Sequence, residues 1–292
     1  MHRQFVVLAG WTLAFLLAGC TSSPTPGPVS TVTNAPTASL PSSVEVSTPP
    51  EYSPSPTSIQ RTEETLAPAG SEEVSALCSP LEGIDLENLN TPDLLKTPFQ
   101  APPPGDDGGH FGVDFAYWTS PEGNPMLGLP VNAILDGKVA GIIYNRKPYG
   151  NTVILETPME NLPKEIRERL PGLNAQTVPT PIPPRSLSCP SISFQGNFSS
   201  LSLYHLYAHL NKPPSLTLGE SVNCGTEIGE VGSTGNSVNA HLHLETRLGP
   251  SGVTFHRLAH YDNSATPEEM GWYCLWRISG FFQAFDPMIL FP

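Results

Sequence analysis

Four histidines and one aspartate fall in three short segments of this chain: His110-Phe111-Gly112-Val113-Asp114, Tyr207-Ala208-His209-Leu210 and His241-Leu242-His243. Imidazole and carboxylate are the usual donors of hydrolytic metal centres, which take three protein ligands and keep a further position open for water. The spacing suits strands, where side chains two apart share a face. His241 and His243 then point the same way, with Leu242 and Leu244 opposite. His205, Tyr207 and His209 are expected on one face of a second strand, with Leu206, Ala208 and Leu210 on the other. His110 and Asp114, four apart, can both reach one ion from a strand or its end. On a helix, His241 and His243 would diverge by about 200°. Spacing does not say which of these two would be the ligand. The polar faces are expected to floor a cleft and the apolar faces to build a core.

Positioning these groups requires strands, and the sequence offers short β-type runs bounded by Gly, Pro and Asn. Strands are expected over Val139 to Tyr144, Thr152 to Glu156, Leu201 to Leu210 and His241 to Leu248. A long interruption, residues 157–200, separates the second from the third. It holds one expected helix, Leu162 to Leu170, capped by Asn161 and with Glu165 and Arg169 four apart. A Pro-rich passage then runs up to Cys189 and Pro190. Residues 249–280, with Trp272, Tyr273 and Trp276, read as a second irregular stretch. Loops of this length often serve function.

The polar start His2-Arg3 is followed by an apolar run, Phe5 to Ala18, too short for a comfortable membrane span. It ends in Leu17-Ala18-Gly19-Cys20. Residues 1–19 resemble a bacterial lipoprotein signal, cut so that Cys20 carries the lipid; this predicts an extracytoplasmic chain anchored to a membrane. Residues 20–77 follow as a linker dominated by Pro, Ser and Thr, too poor in apolar residues to offset ordering entropy, and so expected to be disordered. The folded part is expected over 78–292. A net charge of −13 with a pI of about 4.9 argues against a nucleic-acid partner, which requires clustered Lys and Arg. Cys78, Cys189, Cys224 and Cys274 are scattered, without a C-x-x-C pair. In an exported chain they suggest two disulfides. Their positions suggest Cys189 with Cys224, and Cys78 with Cys274 tying the ends of the folded part together.

Further segments make a resemblance specific. Gly109 to Phe115 is followed by Pro130-Val131-Asn132-Ala133, Asp136-Gly137-Lys138-Val139 and Tyr149-Gly150-Asn151. After Tyr207 to Leu210 come Gly232-Ser233-Thr234-Gly235-Asn236-Ser237, then His241-Leu242-His243-Leu244-Glu245, and near the end Asp286-Pro287. From about residue 99 to 292 the chain resembles the M23 peptidases of the lysostaphin and LytM type. The resemblance implies a mainly β fold, an antiparallel sheet crossed by a central groove. It implies Zn2+ held by His110, Asp114 and His243, with His209 and His241 as catalytic histidines that do not bind the metal. It implies hydrolysis of amide bonds in peptidoglycan peptide, with activity expected to decline on acidification through about pH 6 to 7 as the histidines protonate. The alternative is a non-enzymatic LytM-like module that regulates another cell-wall hydrolase. Residues 157–200 and 249–280 are longer than the family pattern and can border the groove. His205, His256 and His260 lie outside it and are expected to be packed or solvated. Glu245 either orients His243 or faces solvent.

Overall fold

A computed structural model of the chain describes residues 77–117, 126–170 and 181–292; the expected signal, Cys20 and nearly all of the linker lie outside the described residues. The described chain forms strands β1 (Leu95–Thr97), β2 (Gly112–Phe115), β3 (Pro130–Asn132), β4 (Gly137–Arg146), β5 (Gly150–Pro158), β6 (Asn197–Leu210), β7 (Ser221–Val222), β8 (Glu227–Glu230), β9 (Leu242–Ser251) and β10 (Gln283–Phe285). Two helices accompany them, α1 (Lys164–Arg169) and α2 (Pro267–Arg277). The main sheet runs β1-β2-β9-β6-β5-β4-β7, with β10 also on β9, while β3 and β8 pair separately. The strand pairs are antiparallel, so the fold is mainly β as expected. All four expected strands are present, most of them longer than expected.

The sheet is buried on both faces. Leu203, Tyr207, Leu242 and Leu244 enter one core with Val113, Phe115, Val153 and Leu155. Tyr204, Leu206 and Ala208 enter a second core with Phe255, Trp272 and Trp276. The expected division into an apolar face and a polar cleft face is therefore incorrect for β6. His205 and Tyr207 are fully buried, and His209 does not share their face. The cause lies in the backbone: His209 has φ 62°, a left-handed conformation. This costs a β-substituted residue on the order of 1 kcal/mol. It breaks the two-residue alternation, leaving Leu210 in the first core while the His209 ring comes out beside His241 and His243.

Residues 249–280 are not irregular throughout, because they contain α2. Its start follows from local chemistry: Thr266 caps the helix by accepting from Glu269 N–H, Glu269 returns a bond to Thr266 N–H, and Pro267 stands at the first turn. Burial of Trp272, Tyr273 and Trp276 holds α2 against the sheet. In residues 157–200 the helix is shorter than expected. It begins after Pro163, with no side-chain cap from Asn161. Arg169 donates to Leu290 O at 2.6 Å, and the four-apart ion pair on α1 is Lys164 with Glu168 at 3.6 Å.

The cysteines form two disulfides, but with partners other than those expected: Cys78 with Cys224, and Cys189 with Cys274. Chain position misled because neither pair joins the ends of the domain. Cys78 N–H donates to Ile134 O and Gly225 N–H to Ala133 O, so both cysteines flank the same 133–136 segment. Cys189 lies along α2, where Ile182 N–H also donates to Ser279 O. In the chain-entropy account, cross-links spanning 146 and 85 residues each stabilise by about 5 kcal/mol.

His205 sits in a directed hydrogen-bond chain. Ile134 N–H donates to Tyr207 Oη (2.8 Å), whose hydroxyl donates to His205 Nδ1 (2.8 Å). His205 Nε2–H donates to Thr157 Oγ1 (3.1 Å), whose hydroxyl donates to Asp136 O (2.6 Å). A second proton on the ring would set two donors against each other, and burial lowers the pKa to about 3 from the ordinary 6.5. The folded pKa lies below the unfolded one, so stability is fully present above pH 6.5 and falls as the pH drops below it. We expect His205→Gln to be less stable than the parent at pH 7.5, by about 1–3 kcal/mol for disrupted buried hydrogen bonds. At pH 5.5 that deficit should shrink by about 1.4 kcal/mol, the linkage of one proton over one pH unit. Urea unfolding at both pH values reads it, and an unchanged deficit would contradict the assignment.

Candidate metal centre

The β2–β9 ladder builds the site. Asp114 lies directly opposite His243, and Gly112 opposite Glu245. Only glycine fits at 112, because a Cβ there would lie 2.3 Å from Leu244 O. His110 precedes β2 and is held by mutual backbone bonds with Gln100 (2.8 and 2.9 Å). Its Nε2 comes within 3.1 Å of both Asp114 Oδ1 and His243 Nδ1, while His243 Nδ1 is 2.8 Å from Asp114 Oδ1. Among the described residues, His110, Asp114 and His243 are the one group of three whose donors converge enough to hold a metal ion.

The outer partners fix which ring nitrogens carry protons. His110 Nδ1 lies 2.9 Å from Pro98 O, which can only accept, so Nδ1 donates and Nε2 presents its lone pair. His243 Nε2 donates to Glu245 Oε1 at 3.1 Å, leaving the Nδ1 lone pair. Two imidazole lone pairs and one carboxylate oxygen thus face a common point. That donor set suits a divalent cation, and it is repulsive without a cation or an extra proton. In the protein alone, burial disfavours a charged His243, yet Asp114 and Glu245 raise its pKa to about 9. Burial likewise opposes ionisation of Asp114, but the bonds from His110 and His243 hold its carboxyl well below the usual range. Both shifts describe a pocket that demands positive charge.

Glu245 is completely buried and orients His243. Its Oε2 accepts from Arg247 Nε (3.0 Å), Arg247 Nη2 (2.8 Å) and Trp276 Nε1 (2.9 Å), and its Oε1 accepts from Tyr149 Oη (2.8 Å). Burial alone would raise its pKa; Arg247 and then His243 overcome this and keep it ionised.

His209 and His241 stand beside the triad with ring centroids 4.7 Å apart. His209 Nδ1 donates to Thr234 O and His241 Nδ1 to Asn239 O, both at 2.8 Å. Each therefore keeps Nε2 unprotonated, and that of His241 lies 3.7 Å from Asp114 Oδ1. The carbonyls come from the Gly-rich 232–239 loop, which packs on the β4–β5 hairpin. Gly150 and Gly235 meet there so closely that a Cβ on Gly235 would lie 2.3 Å from Gly150 N. Burial first, then His243 and His241, lower the His209 pKa to about 3; burial also lowers that of His241.

All five residues line one cleft of about 470 Å³. Its walls include Pro148, Tyr149, Val238 and, from residues 249–280, Tyr261, Tyr273 and Arg277. Alternation along His243-x-Glu245-x-Arg247 is a signal by which Arg247 was findable. Trp276 and Arg277 carry no such signal, because they reach the site only through the packing of α2. His256 and His260 lie outside the cleft lining and contact Trp272 and Tyr273, respectively.

Residues 199–254 match Peptidase family M23. That stretch, less than half of the chain, holds His209, His241 and His243; His110 and Asp114 lie before it. Solved structures similar to this chain include a Pseudomonas aeruginosa protein assigned to peptidase M23 (18% identity, TM-score 0.30, 69% of this chain and 51% of that one). A zinc containing peptidase from Vibrio cholerae shows 22% identity and TM-score 0.28 over 52% of this chain and 32% of its own. The catalytic domain of the antimicrobial peptidase lysostaphin from Staphylococcus simulans shows 22% identity and TM-score 0.31 over 65% of this chain and 86% of its own. The chain thus spans about half of the first and a third of the second. Scores this low leave the reading of the site to its own geometry and to the match over residues 199–254.

Proposed function

We propose that this chain is a zinc-dependent endopeptidase that hydrolyses amide bonds in the peptide part of bacterial peptidoglycan. The observation that carries the reading is the convergence of three ligand atoms, from His110, Asp114 and His243, beside two histidines whose Nδ1 atoms face backbone carbonyls and whose Nε2 atoms are left to accept. Two neutral imidazoles and a carboxylate suit Zn2+. When bound, zinc supplies Lewis acidity, acidifying water and polarising an amide carbonyl. The substrate class rests on the match of residues 199–254 to Peptidase family M23.

The protein's own groups supply the proton chemistry. His209 and His241 are held by backbone carbonyls in the tautomer that accepts at Nε2. Either can take a proton from attacking water; once protonated, it can donate to a developing oxyanion or to the leaving amine. Their lowered pKa values keep them basic in form into mildly acidic conditions. The chain is further proposed to be a lipoprotein of the cell envelope, tethered through Cys20. A tether raises the local concentration of an acidic domain that an anionic wall does not attract.

The division between ligands and catalysts can be tested by zinc analysis alongside release of amines from peptidoglycan. Ala at His110, Asp114 or His243 is expected to lower zinc content and activity together. His209→Ala and His241→Ala are expected to keep near-stoichiometric zinc and lose about 10²- to 10⁴-fold in turnover. No amine release by the wild type would favour the non-enzymatic reading, and wild-type cleavage by all five variants would reject this cleft as the active site. Zinc loss in His241→Ala but not in His243→Ala would reassign the ligand.

The acid limb of kcat/KM should lie below the ordinary histidine value of 6.5, because burial favours the neutral forms in the folded protein. A midpoint at or above 6.5 would contradict the environment described for His209. For the anchor, Cys20→Ala is expected to move the protein from the membrane fraction to the soluble one. Unchanged fractionation would reject the tether.

A further inference from the structure

Arg277, the last residue of α2, reaches from the helix to both sides of the site. Its Nε donates to Asp107 Oδ1 at 2.5 Å. Nη2 donates to Gly109 O at 3.1 Å, the residue immediately before His110. Nη1 donates to Tyr149 Oη (3.2 Å) and Glu245 Oε1 (3.4 Å), the oxygen that orients His243. The guanidinium lies over the Phe111 ring, 4.2 Å from its centroid. Its side chain is 12% exposed. One planar group therefore joins the backbone that presents His110 to the carboxylate that orients His243.

Asp107 anchors the far end. It is buried, and its Oδ2 accepts from Tyr261 Oη (2.5 Å) and Tyr273 Oη (2.8 Å). Cys274, three residues before Arg277 and on the same side of the helix, is bonded to Cys189. Both long excursions of the chain thus hold the guanidinium in place.

We infer that Arg277 is a positioning residue of the metal centre, fixing the separation of His110 and His243 through Gly109 and Glu245 without touching the ion. This rests on the metal reading above. The role depends on the planar fork and its several donors, which lysine lacks. Charge alone would act in the opposite direction, since a nearby cation disfavours a bound one.

The test measures zinc affinity of the full chain by competition with a chromophoric chelator at pH 7.5. Thermal unfolding of the metal-stripped protein serves as the control for folding. Arg277→Lys keeps the charge and loses the fork; it is expected to bind zinc about 10- to 100-fold more weakly, the range for groups that orient ligands. Wild-type affinity in Arg277→Lys overturns the inference, and tightening in Arg277→Gln would then mark a purely electrostatic role. If neither variant folds, Asp107→Asn loosens the same bridge from its other end and decides by the same measurement: weaker zinc supports positioning, unchanged zinc rejects it. A wild-type chain that takes up no zinc contradicts the metal reading itself. A wild type that binds, with variants that bind equally, contradicts only the role of Arg277.

Discussion

Antiparallel pairing of β2 with β9 sets Asp114 across from His243, and the rest of the site depends on that register. A slip of β2 by one residue would turn Val113 out of the core and Asp114 into it, so burial of the apolar face enforces the pairing. The close approach at Gly112 gives the strands the spacing at which His110, one turn of pleat farther back, joins the same group. β6, on the other side of β9, supplies His209 through a single left-handed residue.

The second constraint is charge. Glu245 and Arg247 are fully buried, and such groups persist only when paired and hydrogen-bonded. Each acceptor oxygen of Glu245 is satisfied several times over, and the Arg247 guanidinium also donates to Trp276 O at 2.7 Å. The arrangement fixes the His243 tautomer, which in turn presents the Nδ1 lone pair to Asp114 and His110. The same principle, with backbone carbonyls instead of a carboxylate, sets His110, His209 and His241. Four imidazoles with assigned protons result from four ordinary hydrogen-bond acceptors placed behind them.

Much of this was legible in the residues. Alternation in His241-Leu242-His243-Leu244-Glu245 locates a strand with one polar edge, and the structure gives it that form, with Leu242 and Leu244 in the core. Such runs gave the candidate strands, while the mainly β class was what the resemblance implied. The kink at His209 was not legible, because a left-handed histidine has no sequence signature of the kind glycine provides. His205 was therefore placed on the face of His209, although it is packed, as expected of a histidine outside the family pattern, and links a buried hydrogen-bond chain. The helix α2 was missed in a stretch read as irregular, although Thr266-Pro267-Glu268-Glu269 carries a capping-box signal for it. Disulfide pairing was not, since four cysteines permit three connectivities and only the packing of residues 133–136 and of α2 selects one.

The central claim is that three donors with fixed protonation converge on one ion. Crystals of the chain grown with zinc, measured with X-rays on both sides of the zinc absorption edge, test it most directly. The account expects one anomalous peak within bonding distance of His110 Nε2, Asp114 Oδ1 and His243 Nδ1, with His209 and His241 close by but unbonded. A peak bonded to His241 or His209, to the other ring nitrogen of His110 or His243, or absent from this cleft would contradict it.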